Sequence, residues 1–398
     1  MLRFLTAGES HGPELTVILE GLPMGLELDL EAVQRDMARR QQGYGRGARM
    51  KIEKDRAELV GGVRHGRTTG GPICLRIRNR DWENWQDQLS PYPDQNTREP
   101  APLVRPRPGH ADLAGAFKYG VEDFRDILER SSARETAARV AGGALAKQFL
   151  QRLGCAIGSH VIAIGSVRPT AKARDVTWKE IIAIPKGSLL RCTDREHERR
   201  MIQEIDRATE EKDTVGGVFE VVAHTPPPGL GSFTQWDRKL DGRLAQAILS
   251  IPAVKAVGFG RGADSAFVRG SALHDEILYA PSEGLCRSSN NAGGLEGGVT
   301  NGQELRVTAY MKPLSSLRRP LRSVNIRTRQ SVEAARVRSD ICAVPAAGVV
   351  GEAMVALTLA EAALEKFGGD SLSETLAHYE AHMRRVQKLV GKQEPASR

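Results

Sequence analysis

Aromatic residues are scarce in this chain, at 5% of the total. Proteins that hold single-stranded nucleic acid stack its bases on aromatic side chains, so their scarcity weakens that reading. The cysteines are few and scattered: Cys74, Cys155, Cys192, Cys286 and Cys342. An odd count with no CxxC pair argues against a disulfide framework and for a reducing compartment. No segment has eighteen uninterrupted apolar residues, and the opening MLRFLTAGESHG lacks an apolar run, so neither a membrane span nor a signal peptide is expected. Also missing are GxxxxGK[ST], a convincing strand–GxGxxG–helix, HExxH, a close-set His or Cys ligand group and GxSxG. These absences exclude the standard nucleotide fingerprints, the common zinc sites and the nucleophile elbow; no bound metal is expected. There is no internal repeat.

What is present suits a sizeable core and many ligand-lining turns: 398 residues, 40% hydrophobic, with 41 Gly and 20 Pro. That length suggests two domains or one large one. The net charge is +8 and the pI about 9.3, which favours an anionic ligand without choosing between nucleic acid and a small phosphorylated molecule. A soluble, cytoplasmic protein is expected.

The chain is organised around Arg130 to Leu150, RSSARETAARVAGGALAKQFL. Ser131 or Ser132 can cap a helix, and Glu135 follows Ser132 at capping-box spacing. Ala137, Ala138, Ala141, Ala144 and Ala146 predict a helix that other backbone can approach closely. Its entrance, between Arg130 and Arg134, suits an anion, because free N–H groups gather at a helix start; an ordinary capped core helix fits the same residues. Asp29 to Gln41 predicts a helix capped by Asp29, with Leu30, Val33 and Met37 on one face. Strands are predicted at Leu2–Thr6, Leu15–Glu20, Asp55–Val63, Pro72–Ile77, Cys155–Val167, Val215–Ala223, Ala253–Phe259 and Leu305–Met311. Helices are predicted at Thr193–Asp213, on the surface, at Lys239–Ile248, at Glu352–Lys366, as an amphipathic helix, and at Ser371–Leu389. Residues 81–108 form a long loop, and the last residues are expected to fray.

Two histidines sit beside glycines, His11 in Gly8-Glu9-Ser10-His11-Gly12 and His110 in Gly109-His110-Ala111-Asp112. An imidazole titrates near neutrality and suits proton transfer, although either could equally be a turn residue. Arginines punctuate the glycines from Arg39 to Arg49. The stretch SSNNAGGLEGGVTNG at Ser288 to Gly302 is a glycine-rich loop, and Asp340 follows Arg338 ahead of a helix. Residue types alone indicate a phosphate-handling site with histidine acid/base groups.

Three segments carry a resemblance to chorismate synthases: GESHGPELTVILEGLPMGLEL, GHADLAGAFKYG followed by RSSARETAARVAGGALAK, and RSDICAVPAAGVVGEAMVAL. AGGLEGGVTNG and the MKP turn fit as well, and the match runs in order over nearly the whole chain. Gly260-Arg261-Gly262 departs from the acidic Gly-Asp-Gly more usual in the family. The resemblance implies an α+β fold in one large domain spanning 1–398, a β-α-β sandwich with central helices between antiparallel sheets, which displaces the two-domain expectation. It implies conversion of 5-enolpyruvylshikimate 3-phosphate to chorismate and phosphate by a redox-neutral 1,4-anti elimination that requires reduced FMN, with NADPH a candidate reductant.

By the same resemblance, His110 protonates the departing phosphate, His11 sits at the flavin, and Asp340 works with flavin N5 in removing the substrate proton. Arg49, Arg134, Arg139 and Arg338 clamp anionic groups, Arg338 also counting among the cofactor contacts. Arg40 and Arg46 match nicotinamide-cofactor positions. The flavin seat is assigned to Arg130, Ser131, Ser132, Pro252, Ala253, Gly297, Lys312, Pro313, Leu314, Ser315 and Ser316. The family assembles as a homotetramer, a dimer of dimers, and no nucleic-acid or membrane partner is implied. Two other readings compete: a flavin or nicotinamide oxidoreductase with net hydride transfer, and a basic nucleic-acid-binding protein.

Overall fold

The computed structural model describes residues 2–47, 54–92, 101–170, 173, 175–282, 284–336 and 340–391. Arg49, Arg338 and the expected frayed tail at 392–398 lie outside them, as do residues 93–100 of the long loop.

Two four-stranded antiparallel sheets enclose a layer of helices. The first sheet contains β1 (Arg3–Ala7), β2 (Glu14–Glu20), β3 (Ala57–Gly61) and β4 (Ile73–Arg78), in the order β1-β2-β4-β3. Alternation decides its faces. Leu15, Val17 and Leu19 pair across to Ile77, Leu75 and Ile73 and are buried, while Leu5 and Ile18 point outward. The second sheet contains β5 (Ala156–Ile164), β6 (Gly217–His224), β7 (Val254–Phe259) and β8 (Leu305–Met311), in the order β5-β6-β8-β7. Its inner face carries Phe219, Val221, Val307 and Ala309, all fully buried.

Between the sheets lie α1 (Leu30–Gln41), α4 (Thr136–Arg152) and α7 (Val344–Phe367). The remaining longer helices are α2 (Asp112–Tyr119), α5 (Arg195–Glu210), α6 (Leu240–Leu249) and α8 (Leu372–Val390), with the short α3 (Arg125–Arg130) between α2 and α4. Asp29 caps α1 as expected, accepting from Ala32 N at 3.1 Å. One continuous core joins both sheets and the central helices, so the chain is a single α+β domain rather than two.

Small residues make the central layer thin. A methyl group placed on Gly143 of α4 would lie 2.3 Å from Ala353 Cβ and 2.5 Å from Ala353 Cα of α7. On the other side of α7, one placed on Gly351 would meet Phe219 of β6 at 2.8 Å. Helix α7 is long and apolar enough to cross a membrane by length and composition, yet 94% of that stretch is buried inside the protein. The amphipathic helix expected at Glu352–Lys366 is therefore a core helix that starts eight residues earlier. The sequence pattern misled because a helix buried on all sides has no polar stripe.

Glu352 is the exception within α7, a carboxylate with no exposed surface. It accepts from Arg39 of α1 at 2.5 and 2.8 Å, from Lys147 Nζ of α4 at 2.5 Å and from Ser159 Oγ of β5 at 2.6 Å. Burial alone would raise its pKa. The cations Arg39 and Lys147 outweigh that and hold it well below the ordinary 4.5. A buried charge is tolerated only when paired and hydrogen-bonded, and this one ties three helices to the second sheet.

Two expectations follow. Gly143→Ala should destabilise the fold by about 1–3 kcal/mol through overpacking, read as a lowered denaturant midpoint. Glu352→Ala should cost up to about 3 kcal/mol, because Arg39 and Lys147 would then share the single countercharge of Asp36, 2.6 and 2.8 Å away. Because the folded pKa of Glu352 is depressed, its contribution is present above pH 4.5 and is lost as pH falls below it. The wild type should lose stability on acidification more steeply than the variant.

Candidate active site

The entrance to α4 differs from the predicted capping box. Ser132 caps a single 3-10 turn, Ala133–Glu135, by accepting from Arg134 N at 3.3 Å. Glu135 does not reach back to Ser132. Its carboxylate accepts from Thr6 Oγ1 at 2.7 Å and from Arg139 Nε at 2.8 Å. Tertiary partners outcompete the local cap, and the turn that results points Arg130, Ser131 and Ser132 at a groove.

That groove, about 500 Å³, is lined by Thr6, Arg130, Ser131, Ser132, Arg139 and Pro252 among others. Arg130 is anchored on Thr6 O and Thr6 Oγ1, both at 2.9 Å. Arg139 donates to Ser250 Oγ at 2.7 Å. Ser131 Oγ is buried and has no hydrogen-bond partner among the described residues, a hydroxyl that a ligand oxygen would satisfy.

The His11 loop borders the groove through Ser132 Oγ, 3.1 Å from Ser10 Oγ. His11 donates its backbone N–H to Glu129 Oε2 at 2.8 Å, and its Nδ1 lies 3.0 Å from both carboxylate oxygens. An ionised carboxylate only accepts, so Nδ1 carries the proton. The ring stacks on Trp85 at 4.2 Å, and Arg125 lies over the same indole at 5.3 Å. Trp85 lies between a 3-10 turn, Arg80–Asn84, and a short helix, Gln86–Leu89, so the start of the stretch expected as a loop is helical and forms a wall of the site.

Behind His11, Asn79 holds the loop by donating to Glu9 O and Gly12 O, and its own carbonyl accepts from Arg134 Nε at 2.9 Å. Arg134 also pairs with the fully buried Asp55. Arg40 shares that carboxylate at 3.2 Å and donates to Thr136 Oγ1 and Ala133 O. Arg40 and Arg134 are 4% and 5% exposed. Both guanidiniums, assigned by resemblance to a nicotinamide cofactor and the substrate, meet protein acceptors that brace the site from within. Burial pulls the Arg40 pKa down to about 10, with Asp55 opposing and Arg134, Arg46 and then Asp340 acting from nearby. Asp340 is therefore part of the same cluster. It accepts from Gly47 N at 2.6 Å and pairs with Arg46 Nη1 at 2.7 Å. Gly45 lets this loop close: at φ +80°, a side chain there would strike Ile205 at 2.9 Å.

His110 forms a second cluster. Its Nδ1 lies 2.6 Å from Asp112 Oδ1, and Arg107 Nη2 lies 2.9 Å from Nδ1 and 3.2 Å from Nε2. Burial raises the Asp112 pKa, but the hydrogen bonds from His110 and Arg107 outweigh it and hold the carboxyl well below the usual range. Arg107 Nη1 donates to Ser316 Oγ at 2.9 Å, and Lys312 Nζ to Gly109 O at 3.0 Å. Lys312 N donates to Ala253 O at 2.9 Å, which joins this cluster to Pro252 and the groove. Leu314 turns its carbonyl to Thr214, Ser315 approaches Gly109, and Pro313 sits over Gly216.

Gly297 stands apart from these contacts. It lies in the turn of a hairpin, Leu295–Glu296 against Val299–Thr300, where an added side chain would meet Phe233. Arg261, the departure in Gly260-Arg261-Gly262, is exposed and hydrogen-bonds through its backbone N to Asn291 O.

The pattern of the sequence missed Glu129, Asn79 and Asp55. Glu129 lies inside the short α3 and Asn79 and Asp55 lie between elements, and nothing local marks any of them as a partner of residues 55 to 118 positions away. Glu129→Gln offers an amide that both donates and accepts. Nitrogen NMR of His11 should then show a mixture of tautomers where the wild type shows Nδ1–H alone.

Comparison with known proteins shows the family. The family model described as chorismate synthase matches residues 2–364. The chorismate synthase of Koribacter versatilis is 52% identical over 98% of this chain and all of that protein. That of Solibacter usitatus is 54% identical over 97% of this chain and all of its own. A crystal structure of chorismate synthase superposes with a TM-score of 0.77 at 42% identity, covering 97% of this chain and 98% of its own. The chain belongs to the chorismate synthase family and is an enzyme of that type, one that forms chorismate in the shikimate pathway.

Proposed function

We propose that the chain converts 5-enolpyruvylshikimate 3-phosphate to chorismate and phosphate by 1,4-anti elimination, with reduced FMN held in the groove at Arg130–Ser132. The supporting observation is the continuity of the groove with both histidines, through Ser10–Ser132 to His11 and through Ala253–Lys312–Gly109 to His110. The residues fit a flavin phosphate: Arg130 and Arg139 supply charge, and the unpartnered Ser131 Oγ lacks only an acceptor or donor. When bound, reduced FMN supplies the electron density that assists loss of phosphate.

The elimination breaks one C–H and one C–O bond and forms one C=C bond. Arg107 and Lys312 flank His110 and attract the phosphate, and the imidazole delivers a proton to the departing oxygen. Asp340, held by Arg46 and the Gly47 N–H, presents a carboxylate to accept the substrate proton. His11, fixed by Glu129 and stacked on Trp85, would border the flavin through the Ser10–Ser132 contact. The exposed apolar residues Leu5, Ile18 and Val60 on the outer face of the first sheet favour the dimer-of-dimers assembly. The absence of disulfides among the five cysteines suits the cytoplasm.

Under anaerobic conditions with reduced FMN, the protein should release phosphate without stoichiometric flavin oxidation; oxidation matching turnover would indicate an oxidoreductase instead. His110→Ala should lower phosphate release by about 100-fold or more while leaving FMN affinity nearly unchanged. An unaltered turnover rate would remove His110 from its role.

A further inference from the structure

Away from the active site, a cavity of about 760 Å³ opens between the C-terminal end of α7 and one face of α8. Six basic side chains converge on it: Lys366 from α7, and His378, His382, Arg384, Arg385 and Lys388 from α8. The neighbouring acids are engaged elsewhere. Glu361 and Glu365 of α7 both pair with Arg243 of α6 at 2.8 Å, and Glu374 completes the Ser371 capping box at the start of α8. Glu380 reaches Arg384 only at 3.9 Å. Among the described residues, Lys366, Arg385 and Lys388 have no acidic partner. The cationic groups consequently face one another, and that repulsion is felt. Burial and then Arg385 lower the pKa of Lys366; burial, with Lys366 and Arg385 adding to it, lowers that of His382.

Both imidazoles are fixed. His378 Nδ1 donates to Phe367 O at 2.6 Å, and His382 Nε2 donates to Pro228 O at 2.9 Å. A carbonyl only accepts, so the bonded nitrogen of each ring carries the proton and the ring is held at the rim of the cavity. Between the charges the lining is apolar, provided by Ala381 and Phe367, whose ring lies 5.6 Å from that of His382. The volume falls in the range of small-molecule sites.

We propose that this cleft binds a small organic dianion, a phosphate or dicarboxylate carrying a ring or short apolar chain, at a site separate from the catalytic one. The anionic groups meet Lys366, Arg385 and Lys388 and relieve their mutual repulsion. The hydrocarbon part covers Ala381 and the edge of Phe367. Bound there, the ligand braces α8 against the end of α7.

The test uses phenyl phosphate and inorganic phosphate as probes on the full-length protein, followed by NMR of the His378 and His382 ring signals, which report on this cleft and not on the catalytic groove. Both probes should shift these signals, with phenyl phosphate half-saturating at the lower concentration. Arg385→Gln/Lys388→Gln, on the exposed face of α8, should weaken that binding by at least about tenfold and leave turnover without probe unchanged. Signals that stay fixed at millimolar probe, or equal affinity in the double variant, would overturn the proposal. A phenyl phosphate affinity no better than that of phosphate would overturn the apolar part of the assignment.

Discussion

Close contact between α4 and α7 is the constraint on which the other features depend. Gly143 against Ala353 leaves no space for a methyl group, so the two helices meet backbone to backbone. Each helix then lies directly on a sheet, α4 through Gly142 against Val17 and α7 through Gly351 against Phe219. The central layer is thin enough for both sheets to share one core. The chain segments leading into these helices carry the chemistry. Arg130, Ser131, Ser132 and Arg134 precede α4, and Asp340 precedes α7. Fixing the helices against each other fixes both halves of the candidate site, because side chains on rigid elements hold their geometry better than side chains on free loops.

Glu352 adds specificity to that contact. Small residues alone would allow the helices to slide, since apolar packing has little direction. A buried carboxylate that must meet Arg39, Lys147 and Ser159 together admits one register. Arg40, the next residue along α1, turns to Asp55 and the α4 entrance. One turn of α1 thus serves the core with Arg39 and the site with Arg40. The two histidines of the site share a related device. Each presents Nδ1 to a buried carboxylate, but the settings differ: Asp112 is shared with Arg107 at 2.9 Å, whereas Glu129 has its nearest arginine, Arg125, at 3.9 Å. Similar hydrogen bonding therefore supports two electrostatic environments, one dominated by cations beside the proposed phosphate position and one against an indole face.

Much of this was legible from the residues. The alternation in β2 and β4, the Asp29 cap, the small-residue helix and its basic entrance were all readable, because each is set by neighbours within a few positions. The motif segments around His11, His110 and Asp340 identified the family. Arg40 and Arg134 show what that reading left out. As sequence they are arginines in basic stretches, and family position assigned them to ligands. In the folded protein their guanidiniums also meet Asp55 and Asn79, partners that no local pattern marks.

By itself, then, the sequence determined which segments are strands and helices, that the interior is built from small residues, and which side chains can move protons or hold phosphate. Those properties follow from backbone sterics, side-chain volume and intrinsic ionisation. Tertiary structure alone decided that α7 is core rather than amphipathic, that Glu135 leaves its capping box for Thr6 and Arg139, and that Glu129 governs His11. Each of these depends on which distant group arrives as a partner. A buried polar atom takes the partner the fold brings to it, and sequence proximity does not specify that partner.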